Sequence, residues 1–365
     1  MQDLYFKTIM FVLSGSLLAT VIGTPILAVS SALSKLYSMV SGNEPMDVSR
    51  KAFLHELIAY VKTKNKRIKF EMVCNKSVIV LCRYATVFSG FPPVVIIHGT
   101  NSGSFQFVDF MESFPKTHDV YCIDLPGWGI SDEPPKDTST TDLDELYRYY
   151  GHLVMTALAD LGPVEQFTFM GHSFGAFLLV KMIENGSIPA KNIYKCVLSC
   201  LPGLALYTSK YNYLWGTCLI YGLAECTFKQ WWSKYLFRAW LFRGKKTPLE
   251  VLQRTHRFIS YSTGYQLVSR LMTFRGILPP VCKDTILDEV ERLSHTIPIQ
   301  LINGTHDTIV DIRHARYLTD HSSIKLHEFN GGHSLFSQQE LFKTLVQVIE
   351  YPNYIPEKKK KPSKK

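Results

Sequence analysis

No C-x-x-C pair, no H-E-x-x-H and no set of histidines at ligand spacing occurs in this 365-residue chain. A zinc module, a thioredoxin-type redox motif and a metalloprotease-type centre are therefore not indicated, and no metal is expected. The eight cysteines are scattered and most read as buried thiols, while their even number permits disulfides without arguing for one. The glycines make neither a G-x-G-x-x-G fingerprint nor a P-loop, so nucleotide cofactors have no signature either, and no cofactor is expected. Charge is also sparse. Charged residues are 19% of the chain against 46% hydrophobic and 13% aromatic, and so much apolar area excludes a disordered protein. No internal repeat is present, which removes solenoids and propellers.

The net charge of +9 does not make a basic body. Residues 357–365 hold six Lys against one Glu, or +5, which leaves +4 for all the rest. A solvated tail explains such a block of like charge, and no nucleic-acid partner is expected.

Residues 8–29 contain no charged side chain. As a helix they would extend about 33 Å at about 1.5 Å per residue, enough to cross a bilayer. A cleaved signal peptide is the alternative, since Ala28-Val29-Ser30 has a small-x-small pattern. The apolar stretch is longer than secretory signals use, which favours a single-pass anchor. Lys7 lies on one side, with Lys35, Arg50 and Lys51 on the other, so the positive-inside bias predicts a cytosolic location for the body of the chain.

After residue 65 short β-type runs alternate with helical patterns, the mark of an α/β fold with a mostly parallel sheet flanked by helices. Strands are predicted at 67–74 and 77–84, joined by a turn at Asn75-Lys76, and then at 94–97, 120–123, 167–170, 194–199, 299–302 and 324–329. Apolar positions recurring at helical spacing from Leu143 to Leu161 predict an amphipathic helix, and another is predicted over 335–350. Residues 203–280 break this rhythm with many aromatics and read as an inserted helical cap. The chain divides into a membrane anchor (1–35), an amphipathic linker (36–66), a first core part (67–202), the cap (203–280), a second core part (281–355) and a basic tail (356–365).

Gly171-His172-Ser173-Phe174-Gly175 fits G-x-S-x-G between a predicted strand and a predicted helix. That context makes Ser173 a candidate nucleophile, with Gly171 and Gly175 giving clearance at a sharp turn and the Phe174 amide aimed at a developing oxyanion. A serine hydroxyl needs a base and an orienting acid. His333, after Gly331-Gly332, and Asp307, after the strand at 299–302, supply them in the chain order Ser, Asp, His, with Asp311 as the alternative acid. His98-Gly99-Thr100 follows the first central strand, and the Thr100 amide is the candidate second oxyanion donor. His98, His172 and Asp124 read as loop supports beside the site.

With HGT at 98–100, DLPGWG at 124–129, GHSFG at 171–175, GTHD at 304–307 and GGH at 331–333, the chain resembles the α/β-hydrolase family. Within it the resemblance is to membrane-anchored serine hydrolases with lipase or esterase activity, such as monoacylglycerol lipase-like members. It implies an acyl-enzyme mechanism on a carboxyl ester of a lipid, of monoacylglycerol or lysophospholipid type, with Ser173, His333 and Asp307 as triad. A serine at the elbow separates the chain from epoxide hydrolases and dehalogenases, which carry aspartate there. A thioesterase or acyltransferase on the same acyl-enzyme, and a non-catalytic lipid-binding scaffold on the same fold, are the alternatives that remain.

Overall fold

The computed structural model describes residues 55, 57–62, 67–87, 90–99, 102–132, 143–202, 285–307, 310–320 and 322–351. The predicted anchor, most of the linker, the cap and the basic tail lie outside the described residues. Among the described residues no helix is long and apolar enough to cross a membrane.

Eight strands form one sheet: β1 (Ile68–Val73), β2 (Val78–Arg83), β3 (Val94–Ile97), β4 (Val120–Asp124), β5 (Phe167–His172), β6 (Ile193–Ser199), β7 (Ile299–Gly304) and β8 (Lys325–Phe329). Their order across the sheet is β1-β2-β4-β3-β5-β6-β7-β8. β2 runs antiparallel to both β1 and β4, and every other neighbouring pair is parallel. β3, β4 and β5 are buried at every position, which explains why they read in the sequence as continuous apolar runs.

Alternation along the strands sends side chains to two separate cores. Val95 and Ile97 point into one, with Leu146, Tyr150 and Val154 of α2 (Leu143–Leu161) and Leu178, Leu179 and Met182 of α3 (Phe174–Glu184). α4 (Thr285–Ser294) and α5 (Ile312–Asp320) cover the same face through Ile286, Val290, Ala315 and Leu318. Val94 and Ile96 face the other core, formed with Phe110 and Met111 of α1 (Val108–Glu112) and Phe342 and Leu345 of α6 (Gln339–Glu350). Leu57 and Val61 are buried in this second core, so the end of the predicted linker packs on the domain instead of running free. Tyr60 of that turn donates its hydroxyl to Asp109 at 2.8 Å.

The strands match the predicted ones to within two residues at each end. Two differences have plain causes. The helix predicted over 335–350 is a 3₁₀ turn at Leu335–Ser337 followed by α6, because the backbone at Gln338 is extended. α1, with five residues, is too short to give a helical apolar period in the sequence. The five described cysteines are all free thiols, and four of them are buried.

The chain crosses from β3 to β4 on one side and returns to β5 on the other, so the strand order reverses at β3. Loops leaving β3 and β5 part at that point and open a crevice at the carboxyl edge of the sheet. Ile96, wholly buried at the centre of β3, packs in the core that α1 and α6 complete. Ile96→Ala should cost about 3 kcal/mol in a denaturant melt, with an unchanged midpoint slope.

Candidate active site

Ser173 follows β5 and heads α3, with φ 54° and ψ −124°. Few L-residues take such a backbone, and neighbours must hold it there. The Ser173 amide donates to the Ser199 carbonyl at 2.8 Å, and its own carbonyl accepts from Ala176 at 2.9 Å. Space comes from absent side chains. A Cβ on Gly171 would lie 2.5 Å from the Ala176 Cα, and one on Gly175 would collide with the carbonyl oxygens of Ile97 and His98. Gly99 lets the loop after β3 pass by, since a Cβ there would sit 3.0 Å from the Ser173 Cβ.

His333 Nε2 lies 2.9 Å from Ser173 Oγ, and His333 Nδ1 lies 2.8 Å from Asp307 Oδ2. The three residues are separated by up to 160 positions, yet they form one continuous hydrogen-bonded relay. The Asp307 side chain has no solvent exposure and that of His333 only 11%. The second Asp307 oxygen accepts from the Val310 amide at 2.9 Å, which fixes the carboxylate. Crossed backbone bonds tie the loops after β7 and β8 together, from Thr305 to Phe329 at 2.8 Å and from His306 to Gly331 at 2.9 Å. Such an arrangement lets the imidazole accept the hydroxyl proton while the carboxylate stabilises the resulting imidazolium.

Phe174 directly follows Ser173 and opens α3, where the first amides have no partner within the helix. Thr100, the other predicted oxyanion donor, lies outside the described residues. Asp311, the alternative acid, instead binds Arg313 through Oδ2 at 2.5 Å and is not part of the relay. His306, next to Asp307, is exposed, and its Nδ1 meets Thr305 Oγ1 at 3.0 Å.

His98 is buried, with Nδ1 at 2.9 Å from the Gly99 carbonyl and Nε2 accepting from the Leu125 amide at 3.3 Å. Those partners require the neutral Nδ1–H tautomer, and burial pushes the His98 pKa down, against the pull of Asp124. Asp124 accepts from the Ser104 amide at 2.6 Å and the Ile130 amide at 3.0 Å, joining the loops after β3 and β4. Burial raises its pKa, while His98 and these amides lower it. Gly129, at φ 55°, closes the turn around that carboxylate, where any Cβ would collide with it. The role of the GWG turn was hidden in the sequence, as were Ser199 and Cys200 at the end of β6.

His172 is buried among Phe107, Phe336 and His333, its ring centroid 5.0 Å from that of His333. Burial lowers its pKa to about 3, so it adds no charge beside the relay. Among the described residues, Cys200, Asp307 and His333 bring sulfur, oxygen and nitrogen donors within 4.8 Å of one another. Both His333 nitrogens are already engaged by Asp307 and Ser173, which makes this trio a relay with its support and not a ligand set.

Neutral burial of His172 sets a pH dependence. Between its unfolded pKa of about 6.5 and its folded value of about 3, the unfolded chain binds a proton that the folded chain does not, so stability falls as pH falls. His98 and His327 are shifted in the same direction by burial. In acid titrations of unfolding free energy, His172→Gln should flatten the slope in this window by about 1.4 kcal/mol per pH unit.

Residues 92–339 match the family described as alpha/beta hydrolase fold. No curated protein sequence matches the chain. Among solved structures, a membrane phospholipase A described as a bacterial virulence factor is similar at a TM-score of 0.59 and 16% identity, over 90% of this chain and 97% of that one. A carboxylesterase from Bacillus subtilis is similar at 0.59 and 14%, over 82% and 97% of the two chains. A protein classed as a lipase from Acinetobacter baumannii AYE gives 0.59 and 14%, over 84% and 99%. At such identities the likeness is one of fold. With an eight-stranded sheet reversing at β3, a strained serine at the head of α3 and a family match across more than half of its length, the chain belongs to the α/β-hydrolase fold family.

Proposed function

We propose that the protein is a serine hydrolase that cleaves carboxyl esters of lipids, of monoacylglycerol or lysophospholipid type, through an acyl-enzyme. The observation that carries this reading is the relay from Ser173 Oγ through His333 to Asp307, at 2.9 and 2.8 Å. His333 takes the hydroxyl proton as Ser173 Oγ attacks the acyl carbon. The Phe174 amide, with that of Thr100, receives the oxyanion. As the C–O bond breaks, His333 returns the proton to the departing alcohol. Water then attacks the acyl-serine with His333 as base, releasing the acid and restoring the serine. Nothing in mere binding calls for this relay, which argues against a scaffold.

Preference for lipids draws on the uncharged run at 8–29, on the aromatic segment 203–280 and on the fold's likeness to proteins described as a lipase and a membrane phospholipase A. We place residues 8–29 in a membrane as a single-pass anchor, with the catalytic domain on the cytosolic side.

A fluorophosphonate probe should label the wild-type protein and leave Ser173→Ala unlabelled; equal labelling of both would exclude Ser173 as nucleophile. Ser173→Ala should lower kcat on the order of 10⁶-fold, since the relay acts as a unit. Vesicles containing monoacylglycerol or lysophospholipid should release free fatty acid with wild type and not with Ser173→Ala. Labelling without such release would move the substrate to another ester or a thioester.

A further inference from the structure

Beside β5, which delivers Ser173, the neighbouring strand β6 ends in Ser199, with Cys200 just beyond it, two small polar residues that the reaction above does not use. Cys200 is wholly buried, and its amide donates to the Ile302 carbonyl of β7 at 2.8 Å. That bond seats it against the strand that carries Asp307. Its Sγ lies within 4.8 Å of an Asp307 carboxylate oxygen and of a His333 ring nitrogen. It also reaches the His333 carbonyl oxygen at 3.7 Å. Ser199 Oγ lies 3.8 Å from the sulfur and 3.4 Å from His172 Nδ1. One side chain just past β6 thus lies beside both the acid from the loop after β7 and the base from the loop after β8.

We propose that Cys200 is a positioning residue, whose thiol holds the Asp307 carboxylate and the His333 main chain in the register that lets the imidazole span acid and hydroxyl. The inference rests on the serine-hydrolase reading of Ser173, His333 and Asp307.

Two further observations support it. Cys200 has φ 50°, a left-handed conformation that glycine takes freely and a side chain makes costly. A thiol stands there nonetheless, so its contacts offset that cost. The chemistry also suits the place. Burial, with the adjacent Asp307 charge, keeps Cys200 protonated, so a neutral thiol and not a thiolate lies beside the carboxylate. A thiol is a weak donor. It locates the carboxylate while leaving most of its charge to stabilise imidazolium, whereas a hydroxyl in its place would draw more of that charge away.

The test uses the full chain with a chromogenic nitrophenyl ester as probe, comparing Cys200→Gly and Cys200→Ser with wild type. Glycine suits the backbone at φ 50°, so it removes the thiol without straining the fold, and a thermal melt checks this. Cys200→Gly should lower kcat about ten-fold, the scale of one hydrogen bond, with KM unchanged. Its acid limb of kcat/KM should move to higher pH, because an unshared Asp307 charge binds the imidazolium more tightly. Cys200→Ser should recover most of kcat and move the limb the opposite way.

Profiles of both variants that superpose on wild type would overturn the proposal. So would a fall in kcat with an unmoved acid limb and no recovery by serine. Ser173→Ala run beside them separates the two readings. If it keeps turnover, the serine mechanism itself is wrong; if it loses turnover while the Cys200 variants match wild type, only the positioning role falls.

Discussion

At φ 54° and ψ −124° the backbone of Ser173 lies outside the basins that L-residues occupy at low energy, and a cost of about 1–3 kcal/mol must be carried by its surroundings. Parallel pairing carries it. β5 is hydrogen-bonded on both sides, to β3 and β6, and the Ser173 amide extends the β6 ladder one residue further to Ser199. Helix α3 begins at the next residue and is packed along the sheet by Leu178, Leu179 and Met182. Strand and helix are both fixed, so the turn between them has no lower-energy route. Its strain lifts the hydroxyl to the sheet edge.

Electrostatics around that hydroxyl follow from burial. Asp307 is buried beneath His333 and held by the Val310 amide, so its charge is directed at one imidazole. His98 and His172 are buried nearby and stay neutral because desolvation opposes their protonation. The surrounding histidines therefore shape loops and do not compete with the relay for protons. Asp124 has a similar place: its carboxylate is spent on the amides of Ser104 and Ile130, joining the two loops that border the crevice.

Much of the sheet was legible in the chain because its central strands are buried on both faces. Val94 to Ile97 and Val120 to Ile123 are unbroken apolar runs for that reason. α2 was equally clear, since one long face of Leu146, Tyr150, Val154 and Leu158 meets the sheet. The short helices were not. α1 has five residues, too few for a period to show, and the break between Leu335–Ser337 and α6 depends on an extended Gln338 that carries no turn residue to announce it. Leu57 and Val61 looked like part of a linker because two apolar residues a turn apart do not reveal what they will pack against.

For the site, local sequence and tertiary structure made different contributions. The sequence alone determined the elbow, because a strained turn needs glycines at fixed offsets from Ser173 and such spacing is local. It also determined the order of Ser173, Asp307 and His333, each placed just beyond a recognisable strand. Only the folded sheet decided that Asp307 and not Asp311 faces His333, that the GWG turn wraps Asp124, and that Cys200 lies under the relay. Those contacts join residues up to 133 positions apart, from Cys200 to His333, and which strand ends become neighbours is set by pairing across the sheet, which no local pattern encodes.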